Sequence, residues 1–141
     1  VTTQAYDDSN IFALILKGDI PSVRVYEDEH AIAVMDVMPQ APGHVLVIPR
    51  APSRNILDAD PAVLSAIIPT VQKIAVAVKK AFEADGVFVC QFNEPAAGQT
   101  VFHLHFHVIP RHEGVELKRH HDKMEDSAVL AAHAEKIRAS L

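Results

Sequence analysis

Histidine takes every second position of Val101-Phe-His-Leu-His-Phe-His-Val-Ile109, and a large apolar residue fills each gap. Successive side chains of a strand point to opposite faces, so this run predicts a strand with His103, His105 and His107 on one side. Phe102, Leu104, Phe106 and Val108 fall on the other side, which must pack into a core. A chain containing such a strand needs a sheet that is covered on one face and polar on the other. Imidazole is the side chain best suited to proton transfer, attack on phosphorus or metal binding near neutral pH.

The rest of the chain supplies that sheet. Ser9 or Asn10 can cap a short helix whose Ile11, Phe12, Ile15 and Leu16 form one apolar stripe, ended by Gly18, Asp19 and Pro21. Two β-like runs, 23–26 and 31–36, flank a polar turn and predict a hairpin. A proline-stiffened loop then leads into a third strand over 44–49. Asp60-Pro61 is a helix start, and the helix shows Val63, Leu64, Ile67, Ile68, Val71, Ile74, Ala75, Val78 and Phe82 to the core. Pro69 should kink or split it, and Gly86 should close it. A fourth strand is expected over 87–92, the histidine strand is the fifth, and helical character returns over 127–141. The expected fold class is α+β, an antiparallel five-stranded sheet with a long kinked helix and a short N-terminal helix, the helices gathered on one face. One domain is expected to fill residues 1–141, with its core at about 9–111 and a charged tail over 112–141.

The chain has 141 residues, 49% of them hydrophobic, which is enough for a proper core. A net charge of −5 argues against nucleic acid or an anionic membrane as the main partner. One cysteine, Cys90, excludes an intrachain disulfide and suits a reducing compartment; it is expected to be a buried small hydrophobe. No apolar run is expected to approach the roughly 20 residues that span a bilayer, and no leader is expected from the opening residues. A cytoplasmic location is the expectation. His30, His112, His120, His121 and His133 are expected at the surface.

The histidine run has company. A small-residue loop, Asn93-Glu-Pro-Ala-Ala-Gly98-Gln99-Thr100, precedes it, Ile109-Pro-Arg111 follows, and Asp36-Val-Met-Pro-Gln-Ala-Pro-Gly-His44-Val-Leu-Val-Ile-Pro-Arg50 lies upstream. Together, over residues 9–111, these blocks resemble the histidine triad family, most of all its Hint-like branch of nucleoside phosphoramidate hydrolases. The resemblance implies a homodimer whose sheets run on into each other, and hydrolysis at the α-phosphorus of a purine nucleotide derivative. It makes His105 the nucleophile, which forms a nucleotidyl-histidine, with His107 on the phosphoryl oxygens or leaving group and His103 and His44 completing the imidazole network. Asp36 would hold the ribose, and Asn93 the ribose or phosphate edge. Gly98 permits close backbone approach, and Gln99 and Thr100 can donate hydrogens to developing charge. Ile11, Phe12, Ile15, Val34, Val37 and Leu46 would line an apolar slot for the base.

Relatives often carry a Cys-x-x-Cys pair near the first helix and a histidine after the third strand, which help bind a structural zinc. Asn10, Ala13 and Pro52 stand there instead, so no metal and no cofactor are expected. Other functions compete. The same nucleophile suits a dinucleoside polyphosphate hydrolase or a nucleotidyl transferase, and a nucleotide-binding regulator could keep the pocket without turnover. A metalloenzyme could use the histidines as zinc ligands, but the sequence beside the triad offers no carboxylate.

Overall fold

The computed structural model describes residues 5–119 and 123–141. Asn10 caps the first helix, α1 (Ile11–Lys17), by accepting a hydrogen bond from the Ala13 amide at 2.9 Å, and Gly18 ends it in the left-handed conformation. The strands are β1 (Arg24–Glu27), β2 (Ala31–Met35), β3 (Val45–Pro49), β4 (Gly86–Cys90) and β5 (Phe106–Arg111). They form one antiparallel sheet in the order β1-β2-β3-β5-β4. Helix α2 (Pro61–Ala81) joins β3 to β4, and α3 (Ser127–Arg138) follows the tail. This is an α+β fold with three α-helices among the described residues.

Alternation along the strands separates two cores. Ala31, Ala33, Met35, Val45, Val47, Phe106 and Val108 meet Ile67, Val71, Ile74 and Val78 of α2 and Leu130, Ala134 and Ile137 of α3. Ile32, Val34, Leu46 and Ile48 point the other way and pack on Phe12 and Ile15 of α1. The helices therefore do not share one face, contrary to the expectation from the sequence. α1 is amphipathic enough to cover the second side, and the functional residues lie on that side.

Several expectations need correction. Pro69 neither splits nor ends α2, which runs unbroken for 21 residues. The bond it forgoes is the one to the Ser65 carbonyl, and both residues are exposed, so water can satisfy that group. Ile68 lies on the same outer side, 51% exposed. The helix ends at Ala81, where Glu83 (φ 48°) makes the reversal, and Gly86 opens β4 instead of closing the helix. By length and hydropathy α2 does reach the limit for a membrane span, contrary to the sequence reading. Its inner face lies on the sheet, as that of a core helix does. Cys90 is half-buried, and burial pushes its thiol pKa up. His112 is half-buried, its Nε2 at 2.9 Å from the Phe82 carbonyl. His133 is half-buried against the Phe82 ring. His30 is exposed, and His120 and His121 fall outside the described residues.

Candidate active site

The histidine run is only partly a strand. β5 begins at Phe106, so of the three histidines only His107 sits in the sheet, opposite Leu46 and Cys90. The Leu104 amide bonds the Ser53 carbonyl at 2.9 Å, which draws residues 101–105 onto the loop after β3. Leu104, Phe106 and Val108 still face α2. Phe102 does not join them: its ring lies under the Arg54 guanidinium at 4.0 Å. All three histidines are buried.

Main-chain groups fix the tautomers of His105, His103 and His44, and His44 passes the constraint on to His107. The His103 carbonyl is 2.7 Å from His105 Nδ1 and can only accept, so Nδ1 carries the proton and Nε2 keeps its lone pair. The Pro49 carbonyl, 2.8 Å from His103 Nε2, puts that ring's proton on Nε2. His103 Nδ1 then accepts from the Tyr6 hydroxyl at 2.6 Å, which itself accepts from Asn10 Nδ2 at 3.0 Å. Burial lowers the His103 pKa, against the opposing pull of the Pro49 carbonyl. His44 is fixed the opposite way. The Gln40 amide donates to its Nδ1 at 3.1 Å, leaving the proton on Nε2. That nitrogen lies 2.9 Å from His107 Nδ1 and 3.4 Å from Asp36 Oδ2. His107 Nδ1 must therefore accept, and its proton sits on Nε2.

Beside these rings opens a cavity of about 450 Å³, lined by Ile11, Phe12, Ile15, Val34, Val37 and Leu46 together with Asp36, Thr100, His105 and His107. The volume suits a small organic ligand, and the lining is apolar with a few convergent polar groups. Phe12 meets His105 edge-on, and His105 meets His107 at 5.0 Å between ring centres. Asp36 closes β2 with its Oδ1 accepting from the Met38 amide at 2.8 Å.

Three expected ligand groups are placed differently. The Asn93 side chain accepts from the Ile56 amide and pairs with Gln91 through both its atoms, so it braces the loop and does not line the cavity. Gln99 is buried. Its amide nitrogen donates to the carbonyls of Arg54 and Val101, and its oxygen accepts from the Glu94 amide and Asn55. That side chain has no hydrogen to spare for a ligand. Gly98 is exposed at φ +99° and closes a 3-10 turn at Pro95–Ala97.

The structure also recruits groups that the sequence did not flag. Tyr6, ahead of α1, orients His103. Met124 lines the cavity from the far tail, beside the Glu125 amide that bonds the Val37 carbonyl at 2.8 Å. Nothing local in the sequence marks either contact. Glu94 and Arg54 form an ion pair at 2.8 Å.

Two sets of groups bear on metals. Near α1, Asn10 caps the helix and donates to Tyr6, so its side chain is committed and offers no zinc ligand. Asp36, His44 and His107 do present donors within 4.8 Å of one another, so the fold supplies the carboxylate that the sequence around the triad lacks.

A family model described as the HIT domain matches residues 17–114. The chain is 42% identical over 102 residues to Protein hit of Bacillus subtilis, covering 72% of this chain and 70% of that one. It is 31% identical over 134 residues to Adenylylsulfatase HINT3 of Arabidopsis thaliana, covering 91% and 68%. Among solved structures, a Hit-like protein involved in cell-cycle regulation from Bartonella henselae, with unknown ligand, superposes with a TM-score of 0.92 at 60% identity, covering 97% of this chain and all of that one. A Zn-bound histidine triad family protein from Mycobacterium smegmatis follows with a TM-score of 0.83 at 34% identity, covering 94% and 92%.

Proposed function

Because the chain belongs to the HIT domain family, we propose that it is a nucleotide hydrolase acting at the α-phosphorus of purine nucleoside monophosphate derivatives, phosphoramidates such as adenosine phosphoramidate first among them. The observation that carries this reading is the 2.7 Å bond from His105 Nδ1 to the His103 carbonyl. It leaves His105 Nε2 as a lone pair on a ring that lines the cavity. The coarser kind, a nucleotide hydrolase, is also that of the plant relative named for adenylylsulfatase activity.

His105 Nε2 forms a bond to phosphorus as the P–N bond breaks, and the departing amine takes the proton from His107 Nε2. Water then attacks the nucleotidyl-histidine, giving its proton to the now basic His107 and releasing the nucleoside monophosphate. Asp36, at the cavity wall, accepts hydrogen bonds from the ribose hydroxyls, and the Ile11, Phe12, Ile15, Val34, Val37 and Leu46 slot takes the base. Such a slot reads flat aromatic shape more than base identity. Thr100, at the cavity wall, stands near the phosphate.

The reaction needs no metal in this reading. A metal on Asp36, His44 and His107 favours the rival, but the Gln40 amide bond to His44 Nδ1 keeps a proton on the nitrogen that a metal would need. The test is turnover of adenosine phosphoramidate beside a diadenosine polyphosphate, with and without chelator. Phosphoramidate cleavage that ignores chelator is expected. Preference for the dinucleotide would change the substrate class, loss on chelation would make the histidines ligands, and binding without turnover of either would leave a nucleotide-binding regulator.

A second copy of this chain is the proposed partner. β4 is an edge strand with Phe88 and Val89 each over 40% exposed, and α2 shows Ile68 and Val76 on its outer side. An uncharged apolar edge of this kind invites strand pairing, which would extend the sheet across a two-fold axis.

A further inference from the structure

Glu94 stands at φ 74°, ψ 158°, a backbone region that only glycine occupies at ease. A side chain there must be held. Both carboxylate oxygens of Glu94 are engaged by Arg54, Oε2 by Nε at 2.8 Å and Oε1 by the guanidinium Nη2 at 3.0 Å, and Asn55 Nδ2 adds a bond to Oε2 at 2.6 Å. Arg54 is itself fixed. Its side chain is 7% exposed, it lies over the Phe102 ring at 4.0 Å, and Asp58 accepts from its amide and from that of Asn55. The backbone of Glu94 meanwhile anchors the loop ahead of the triad, its carbonyl accepting from the Ala97 and Gln99 amides and its amide donating to Gln99 Oε1.

We propose that Glu94 is a positioning residue for this site: clamped by Arg54 and Asn55, it holds the loop of residues 94–100 in a strained path that sets where Thr100, and the chain entering His103 and His105, stand beside the cavity. Arg54 takes part from both ends, since its guanidinium covers Phe102, the residue before His103. A planar fork gripping both oxygens fixes an angle as well as a distance, which a point charge such as lysine does not. The proposal rests on the hydrolase reading for its consequence, but the clamp itself has a readout independent of turnover.

The experiment compares wild type with Glu94→Gly and Arg54→Lys by amide hydrogen exchange of residues 97–99 and by phosphoramidate kinetics on the same folded preparations. Glycine removes the strain together with the carboxylate, so a merely tolerated glutamate would leave Glu94→Gly as ordered and as active as wild type. The clamp predicts faster exchange at Gly98 and Gln99 in both variants, by tenfold or more. It also predicts kcat lower by roughly tenfold with KM within about twofold, since small misplacement at a reacting centre is felt mainly in the chemical step. Unchanged exchange in Glu94→Gly overturns the proposal, and so does faster exchange with unchanged kcat. If the wild type turns over no phosphoramidate or dinucleotide, the hydrolase reading fails. The exchange comparison, with nucleotide affinity replacing kcat, then decides the clamp on the same criterion.

Discussion

His44 Nε2, just ahead of β3, and His107 Nδ1 of β5 lie 2.9 Å apart, and this contact transmits a main-chain constraint to the reacting end of the site. The Gln40 amide dictates the His44 tautomer, His44 dictates that of His107, and the chain ends with a donor on His107 Nε2. Removing the middle member should hurt chemistry more than binding. His44→Phe is expected to lower kcat by about 10- to 100-fold with little change in KM, at or below the lower end of what a lost general acid–base group costs. Steady-state kinetics on the phosphoramidate check this, and an unchanged kcat would break the chain of inference.

Gly43 precedes His44 at φ +89°, and a Cβ built there would fall 2.5 Å from the Phe82 ring. Phe82 cannot easily retreat, because His133 meets it edge-on and Lys136 lies over it. Gly43→Ala combines backbone strain with overpacking and is expected to cost about 2–4 kcal/mol of stability. Urea unfolding measures it, and a loss below about 0.5 kcal/mol, ordinary for a surface change, would show that the approach is not tight.

Burial holds the pKa of His103 below the ordinary histidine value, and burial does the same for His133, with Glu125 opposing it. The folded forms of these rings therefore resist protons that the unfolded chain accepts. Their contribution is intact above the unfolded histidine pKa of about 6.5 and is lost as pH falls from there toward the folded values. Unfolding free energies measured between pH 8 and 5 should fall on the acid side, and less steeply in His103→Asn. Equal slopes would mean that His103 does not carry this dependence.

The sheet should continue through a second copy at the β4 edge. Phe88→Lys combined with Val89→Glu is expected to turn a dimer into a monomer, read by light scattering on the eluting protein, while helix content stays unchanged. A wild-type monomer, or a dimer indifferent to these changes, would remove the edge as the interface.

Elements whose pattern is dictated by their own burial could be read along the chain. β2 and β3 are unbroken apolar runs, and α2 starts at Asp60-Pro61 with an inner face of period 3.6. The histidines and Asp36 were legible as residue types because few structural roles demand them together. What the sequence concealed depends on distant pairing. Period two suggested a strand through His103, yet the bond from Leu104 to Ser53 ties residues 101–105 to a loop instead. Phe102 looked like core and became a platform for Arg54. Gln99 and Asn93 looked like ligand donors, but their hydrogens go to carbonyls and side chains of loops that fold against them. Tyr6 reaches His103 across 97 positions of sequence, which no local pattern encodes.

The central claim is that His105 Nε2 attacks phosphorus, and trapping the covalent state tests it most directly. Wild-type protein is mixed with adenosine phosphoramidate, quenched within a turnover, and the peptide spanning residues 101–111 is weighed and fragmented. The account predicts an adenylyl adduct on His105, absent in His105→Ala, which still binds nucleotide. An adduct on His103 or His107, or turnover by His105→Ala, would contradict it.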